Sequence, residues 1–197
     1  MNIANKLTLS RIGLTAVFLF FMSFPFAGPM MLWSKVLGVI VFAAAAISDY
    51  FDGKIAKKRN MITDFGKLMD PIADKILVIS AFAVFVQMQI VAAWMLIAIL
   101  SREFIITSLR FFALNKGKVL AAGRMGKHKT LGQMVVIFLI LGFIVFKEIR
   151  LTFYTWNPAW EKFFKSSIDV VMLFIVGLTL YSGISYLWDN RKMIANI

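Results

Sequence analysis

The sequence predicts an all-α membrane protein: six transmembrane helices preceded by a short N-terminal interfacial helix, with both termini on the cytoplasmic side. Three observations carry this. Apolar residues make up 60% of the 197 and charged residues only 16%, below the roughly one quarter charged of a soluble domain, and mean hydropathy is +0.82. Charge-free runs recur along the chain, long enough to cross a hydrocarbon core of ~30 Å as helices. The 22 Lys and Arg outnumber the 10 Asp and Glu and fall unevenly between the connections, which orients the chain. No soluble portion remains to offer this positive charge to a nucleic acid, so none is expected as a partner. The chain has no cysteine and one histidine, His128, read as a loop residue. Disulfides, thiolate metal sites and multi-histidine zinc or iron centres are thereby excluded.

The opening MNIANKLTLSR mixes polar and apolar residues and reads as the interfacial helix. Residues 12–34 carry no charge, but Pro25, Gly28 and Pro29 interrupt them, so the first span ends near Phe24. No small-residue cleavage signature follows and more spans do, so this is not read as a signal peptide. The second span covers 32–57, its last turns polar. Residues 76–101 are again free of charge and fit either one long span or parts of two, with Gln87-Met88-Gln89 as the turn. Residues 130–146 and 170–188 supply two clearer spans. No linker, repeat or low-complexity tract divides the chain, so residues 1–197 read as one domain.

Charge resolves the ambiguous run. With two spans, 66–86 and 90–114, the total is six, and 15 basic residues fall on the side of the termini against five (Lys35, Lys147, Arg150, Lys162 and Lys165) on the other. Lys75 and Arg102 lie within spans. A single span would move the cations from Arg102 to Lys129 to the opposite side and spoil the asymmetry. The positive-inside rule therefore favours six spans.

Four of the ten acids have helical spacing where a membrane protein rarely puts acids. Asp49 and Asp52 are i,i+3 at the cytoplasmic end of the second span, and Gly53 and Ala56 continue the turn. Gly66, Asp70 and Asp74 follow at i,i+4,i+8 at the start of the third. A short connection, 58–65, holds the two helices as an antiparallel pair, so four carboxylates converge near the interface. Like charges in a partly dehydrated site repel, and buried carboxylates resist ionisation. One or two divalent cations offset that cost. Oxygen-only donors point to a hard ion, Mg²⁺ or Mn²⁺, over Zn²⁺. Gly53 and Gly66 leave room for a ligand against the backbone. The alternative, pairing with Lys54, Lys57, Lys67 and Lys75 at a solvated boundary, accounts well for any single acid and poorly for four acids with two glycines.

The stretch from Asp49 to Asp74 resembles the signature of the CDP-alcohol phosphotransferases, D-x2-D-G-x2-A-R-x8-G-x3-D-x3-D. Every spacing fits, and seven of the eight fixed positions match over 26 residues. The departure is Lys57, where the pattern has Arg. That keeps the charge and loses the planar bidentate fork, with Arg59 close by in sequence. Asn5-Lys-Leu-Thr8-Leu-Ser-Arg11, Asp70-Pro-Ile-Ala-Asp74-Lys75, Arg102-Glu103-Phe, Leu109-Arg110 and Gly126-Lys127-His-Lys129-Thr130 resemble the bacterial branch whose acceptor is glycerol 3-phosphate.

The resemblance implies a reaction in which CDP-diacylglycerol and an alcohol give a phosphodiester lipid and CMP. It assigns Asp49, Asp52, Asp70 and Asp74 as ligands of two metal ions, Mg²⁺ or Mn²⁺, with Asp74 also the general base. It places Gly53, Ala56, Lys57, Gly66, Asn5 and Thr8 about the CDP-diacylglycerol. The acyl chains stay among the membrane lipids. Independently, Arg102 and Arg110 are eight residues apart, about 80° around one helix, and with Lys127 and Lys129 they form a cationic set suited to a phosphorylated acceptor. The resemblance selects glycerol 3-phosphate, and it implies a homodimer in a bacterial inner membrane with the site facing the cytoplasm. Two alternatives stand: a cardiolipin synthase with a lipid acceptor, and a divalent-cation transporter using paired intramembrane acids.

Overall fold

The computed structural model describes residues 3–59, 64–115 and 125–191, and side chains over 9–48, 72–73, 75–113 and 129–191. The described chain is helical, without strands, in six helices: α1 Ile3–Ser23, α2 Pro29–Arg59, α3 Asp64–Gln87, α4 Ala93–Asn115, α5 Met125–Phe153 and α6 Pro158–Asp189. The expected break at Gln87–Gln89 is present. α3 stops at Gln87, and Gln89 takes a left-handed φ of 58° in the turn to α4.

Two expectations are corrected. The N-terminal segment is not a separate interfacial helix, because α1 runs from Ile3 to Ser23 without interruption. Nothing between Asn5 and Ile12 breaks a helix, and Gly13 alone, with no proline near it, does not end one. His128 likewise lies on α5 and not in a loop. α1 ends where the prolines begin, and Gly28, at φ 60°, turns the chain into α2.

Short connections make successive helices antiparallel. The starts of α1, α3 and α5 and the ends of α2, α4 and α6 thus share one end of the bundle, here the motif end. α1 packs on α2 and α3; α5 touches α2, α3 and α6; α4 lies against α6 and α3. The main core joins Phe18 and Met22 of α1, Phe42 of α2, Leu77, Phe82 and Phe85 of α3, Ile137, Ile140 and Leu141 of α5 and Met172 of α6. A smaller cluster, Ile106, Ala113 and Tyr186, joins α4 to α6 nearer the motif end.

At the far end the first two helices are tied by side chains. Ser34 donates to the carbonyl of Phe21, and Lys35, 3% exposed, donates to that of Met22 at 2.6 Å. Both serve carbonyls that the last turn of a helix leaves without partners. A Cβ on Gly38 would meet Met22 Sδ at 2.8 Å, so the missing side chain sets how closely α1 and α2 approach. α6 opens with a capped turn: Asn157 Oδ1 accepts from the Ala159 amide at 2.9 Å, and Pro158 takes the first helical position.

Candidate active site

α2 and α3 bring the motif to one end in register. Asp49 and Asp52 precede the last residue of α2 by ten and seven positions, and Asp70 and Asp74 follow the first of α3 by six and ten. At 1.5 Å per residue each helix therefore carries one aspartate ~10 Å and one ~15 Å from the connection. α1 packs on both helices. Gly53, Ala56 and Lys57 lie on the last turns of α2, Gly66 on the first of α3, Asn5 and Thr8 on the first turns of α1, and Lys127 on the first of α5. The side chains of these eleven predicted residues lie outside those described. Among the described residues no group of three or more His, Cys, Asp or Glu gathers. The four aspartates at matched depths offer oxygen donors only, the set a hard divalent cation prefers, so this part of the chain fits one.

The remaining predicted residues, Arg102, Arg110 and Lys129, are described. Arg102 and Arg110 both reach α6, as their shared face requires. Arg102 Nη2 donates to Ser182 Oγ at 3.0 Å, and Arg110 Nε donates to Tyr186 Oη at 3.2 Å. α4 and α6 run in the same direction, so the deeper arginine meets the deeper hydroxyl. The Arg102 side chain is 11% exposed, with its Nη1 3.5 Å from Glu103 Oε1. Its Nε is buried without an acceptor among the described residues. Arg110 is exposed.

Lys129 is 5% exposed and forms an ion pair with Glu103. Glu103 thus sits between a cation of α4 and one of α5. Lys75, one residue after Asp74, donates to Thr107 of α4. Lys75, Glu103, Thr130 and Gln133 line the polar side of a cavity of about 60 Å³, closed by Val78, Phe82 and Ile99. The Lys75–Thr107 and Lys129–Glu103 contacts link α4 to α3 and to α5.

Sequence reasoning marked Glu103 only as a resemblance position and a partner for some cation, and did not single out Ser182 or Tyr186. Their partners are far away in sequence, and a hydroxyl on an apolar helix carries no pattern. Arg11 counted there only as a positive charge and a resemblance position. In the structure it is 1% exposed on α1, on the stripe of Thr15, Phe18 and Met22 that faces the core. A buried guanidinium on the helix that packs on both aspartate-bearing helices is a signal that only burial supplies.

The chain matches the CDP-alcohol phosphatidyltransferase family over residues 1–181. It is similar to the CDP-diacylglycerol–glycerol-3-phosphate 3-phosphatidyltransferase of Bacillus subtilis (strain 168), 36% identical over 184 residues that cover 84% of this chain and 95% of the relative. The protein of the same name from Salmonella paratyphi A (strain ATCC 9150 / SARB42) is 33% identical over 197 residues, 96% of this chain and 95% of that one. That from Rickettsia bellii (strain RML369-C) is 39% identical over 145 residues, 72% and 76% of the two chains.

Proposed function

The chain belongs to the CDP-alcohol phosphatidyltransferase family, and on that footing we propose that it transfers the phosphatidyl group of CDP-diacylglycerol to glycerol 3-phosphate. The products are phosphatidylglycerol phosphate and CMP. The observation that carries this reading is the shared name of relatives matched over most of their length. The aspartates at matched depths on α2 and α3, with two α4 arginines near the same end, supply chemistry that suits it.

An acceptor hydroxyl oxygen forms a bond to the phosphorus bearing diacylglycerol, and the bond from that phosphorus to the CMP oxygen breaks. Asp74 takes the hydroxyl proton. Asp49, Asp52, Asp70 and Asp74 would hold Mg²⁺ or Mn²⁺, which when bound offsets the charge of the diphosphate and of the departing CMP. Gly53 and Gly66 admit the cytidine diphosphate close to the backbone, and Ala56 and Lys57, with Asn5 and Thr8 of α1, complete that side. Arg102, Arg110 and Lys127 face the acceptor phosphate. Lys129, held by Glu103, contributes charge at one remove.

The lipid substrate calls for a protein in the bilayer. Two stretches, Pro29–Ser48 and Pro158–Asp189, are long and apolar enough to cross one. Phe104, Leu131, Phe174, Ile184 and Trp188 point outward from the bundle, which in water would be a large unfavourable apolar surface. At the far end Arg150 lies over the rings of Tyr154 and Trp160, at 4.8 and 5.0 Å, and Lys147 over Trp156 at 5.7 Å. Aromatic and basic side chains of this kind anchor a helix bundle at a membrane interface. All six helices span in this reading, with the motif end in the cytoplasm.

The test is CMP release by detergent-purified protein supplied with CDP-diacylglycerol and Mg²⁺, with and without glycerol 3-phosphate. Release that needs both metal and acceptor is expected. Release only with phosphatidylglycerol would make the protein a cardiolipin synthase. No release with any acceptor, together with metal flux into proteoliposomes, would replace the reading with a transporter.

A further inference from the structure

The buried stripe of α6 changes character along its length. Ile168, Met172, Ile175 and Val176 are apolar, whereas Thr179, Ser182 and Tyr186, toward the motif end, carry hydroxyls. A buried hydroxyl is unfavourable unless it is bonded. For Ser182 and Tyr186 the partners are the two α4 arginines, at 3.0 and 3.2 Å. The Tyr186 ring also lies 5.1 Å from the Arg110 guanidinium carbon. Between them, Gly183 leaves the space that Arg102 occupies, since a Cβ there would meet Arg102 Cγ at 2.9 Å. All three residues lie beyond the 1–181 matched to the family.

These contacts fix one edge of each guanidinium and leave donors over. On Arg102, Nη2 is held by Ser182 and Nη1 lies 3.5 Å from Glu103 Oε1, while the buried Nε has no acceptor among the described residues. On Arg110, Nε is held and the side chain is exposed. A free arginine loses ~2 kcal/mol of rotamer freedom when it is pinned by a ligand. Pinned beforehand, it loses less and binds an anion more tightly.

We propose that Ser182, Gly183 and Tyr186 are positioning residues for the acceptor: they aim Arg102 and Arg110 so that the remaining donors meet the phosphate of glycerol 3-phosphate. This rests on the acceptor assigned above. The three do not touch the reacting atoms, so the effect belongs to acceptor affinity and not to the transfer itself.

Steady-state kinetics of Ser182→Ala and Tyr186→Phe in the full-length protein test this. Each is expected to raise KM for glycerol 3-phosphate about 5- to 10-fold, as loss of one hydrogen bond to a charged group allows. KM for CDP-diacylglycerol should be unchanged and kcat within about twofold. Ser182→Thr, which keeps the hydroxyl, should restore the wild-type constant, and Gly183→Ala, which displaces Arg102, should raise it. Wild type that turns over glycerol 3-phosphate while both hydroxyl variants keep its KM overturns the positioning role alone. A fall in kcat and in thermal stability with KM unmoved overturns it too, in favour of simple packing. Wild type that releases CMP only with other acceptors overturns the acceptor assignment and the inference together.

Discussion

Asp49 and Glu103 respond to substitution in opposite ways. Asp49→Asn keeps size and shape and removes one charge from a set that is expensive to assemble without a cation. CMP release is expected to fall at least ~100-fold, about 2.7 kcal/mol of transition-state stabilisation, with helix content by circular dichroism unchanged. Activity near wild type in that variant sinks the metal-site reading. Glu103→Gln instead leaves Lys129, 5% exposed, without its counter-charge. An unpaired buried charge is destabilising by ~3–5 kcal/mol, so the midpoint of thermal unfolding in detergent should drop sharply. Adding Lys129→Met should return most of the loss; a double variant less stable than Glu103→Gln would show that the pair is not the cause. At this scale the sequence revealed charges in apolar surroundings, Arg102 and Arg110 among them. It allowed Glu103 a cationic partner without saying which, because Lys129 lies one helix later.

Helices were legible where charge or proline punctuates hydropathy. α3 and α4 read as two elements because the positive-inside count demanded it, not because the apolar run from 76 to 101 showed a break. α1 was divided wrongly for the converse reason: polar residues near its start imitate an interfacial segment, while backbone propensity continues through them. The tie of Ser34 and Lys35 to the end of α1 leaves no trace in periodicity, where Lys35 is only one of the five far-side charges. Helix starts can be tested separately. Asn157 is the only side-chain acceptor seen on the first amides of α6 among the described residues, so Asn157→Ala should lower stability by about 1 kcal/mol. Asn157→Ser, which retains an acceptor, should keep nearly all of it. Equal stability of Asn157→Ala and wild type in the same unfolding assay would make the cap dispensable.

The molecule as a whole has two unlike ends, and they make its orientation testable. In the six-span reading of the sequence, 15 basic residues fall on the side of the termini and five on the other. Moving the cationic end across a bilayer is the harder of the two insertions, so it should remain in the cytoplasm. The native chain has no cysteine, so a single introduced thiol reports its side without background. Thr155→Cys, in the connection between α5 and α6, should react with a membrane-impermeant maleimide in intact cells. Lys118→Cys, between α4 and α5 in sequence, should react only after the membrane is opened. Both variants should retain CMP release, since neither position carries a role in the site. Labelling of both from outside would mean that the α5 segment does not cross, and the reverse pattern would invert the bundle. The reverse pattern would separate the aspartates from a cytoplasmic acceptor and undo the link between charge asymmetry and catalysis, even with every helix in place.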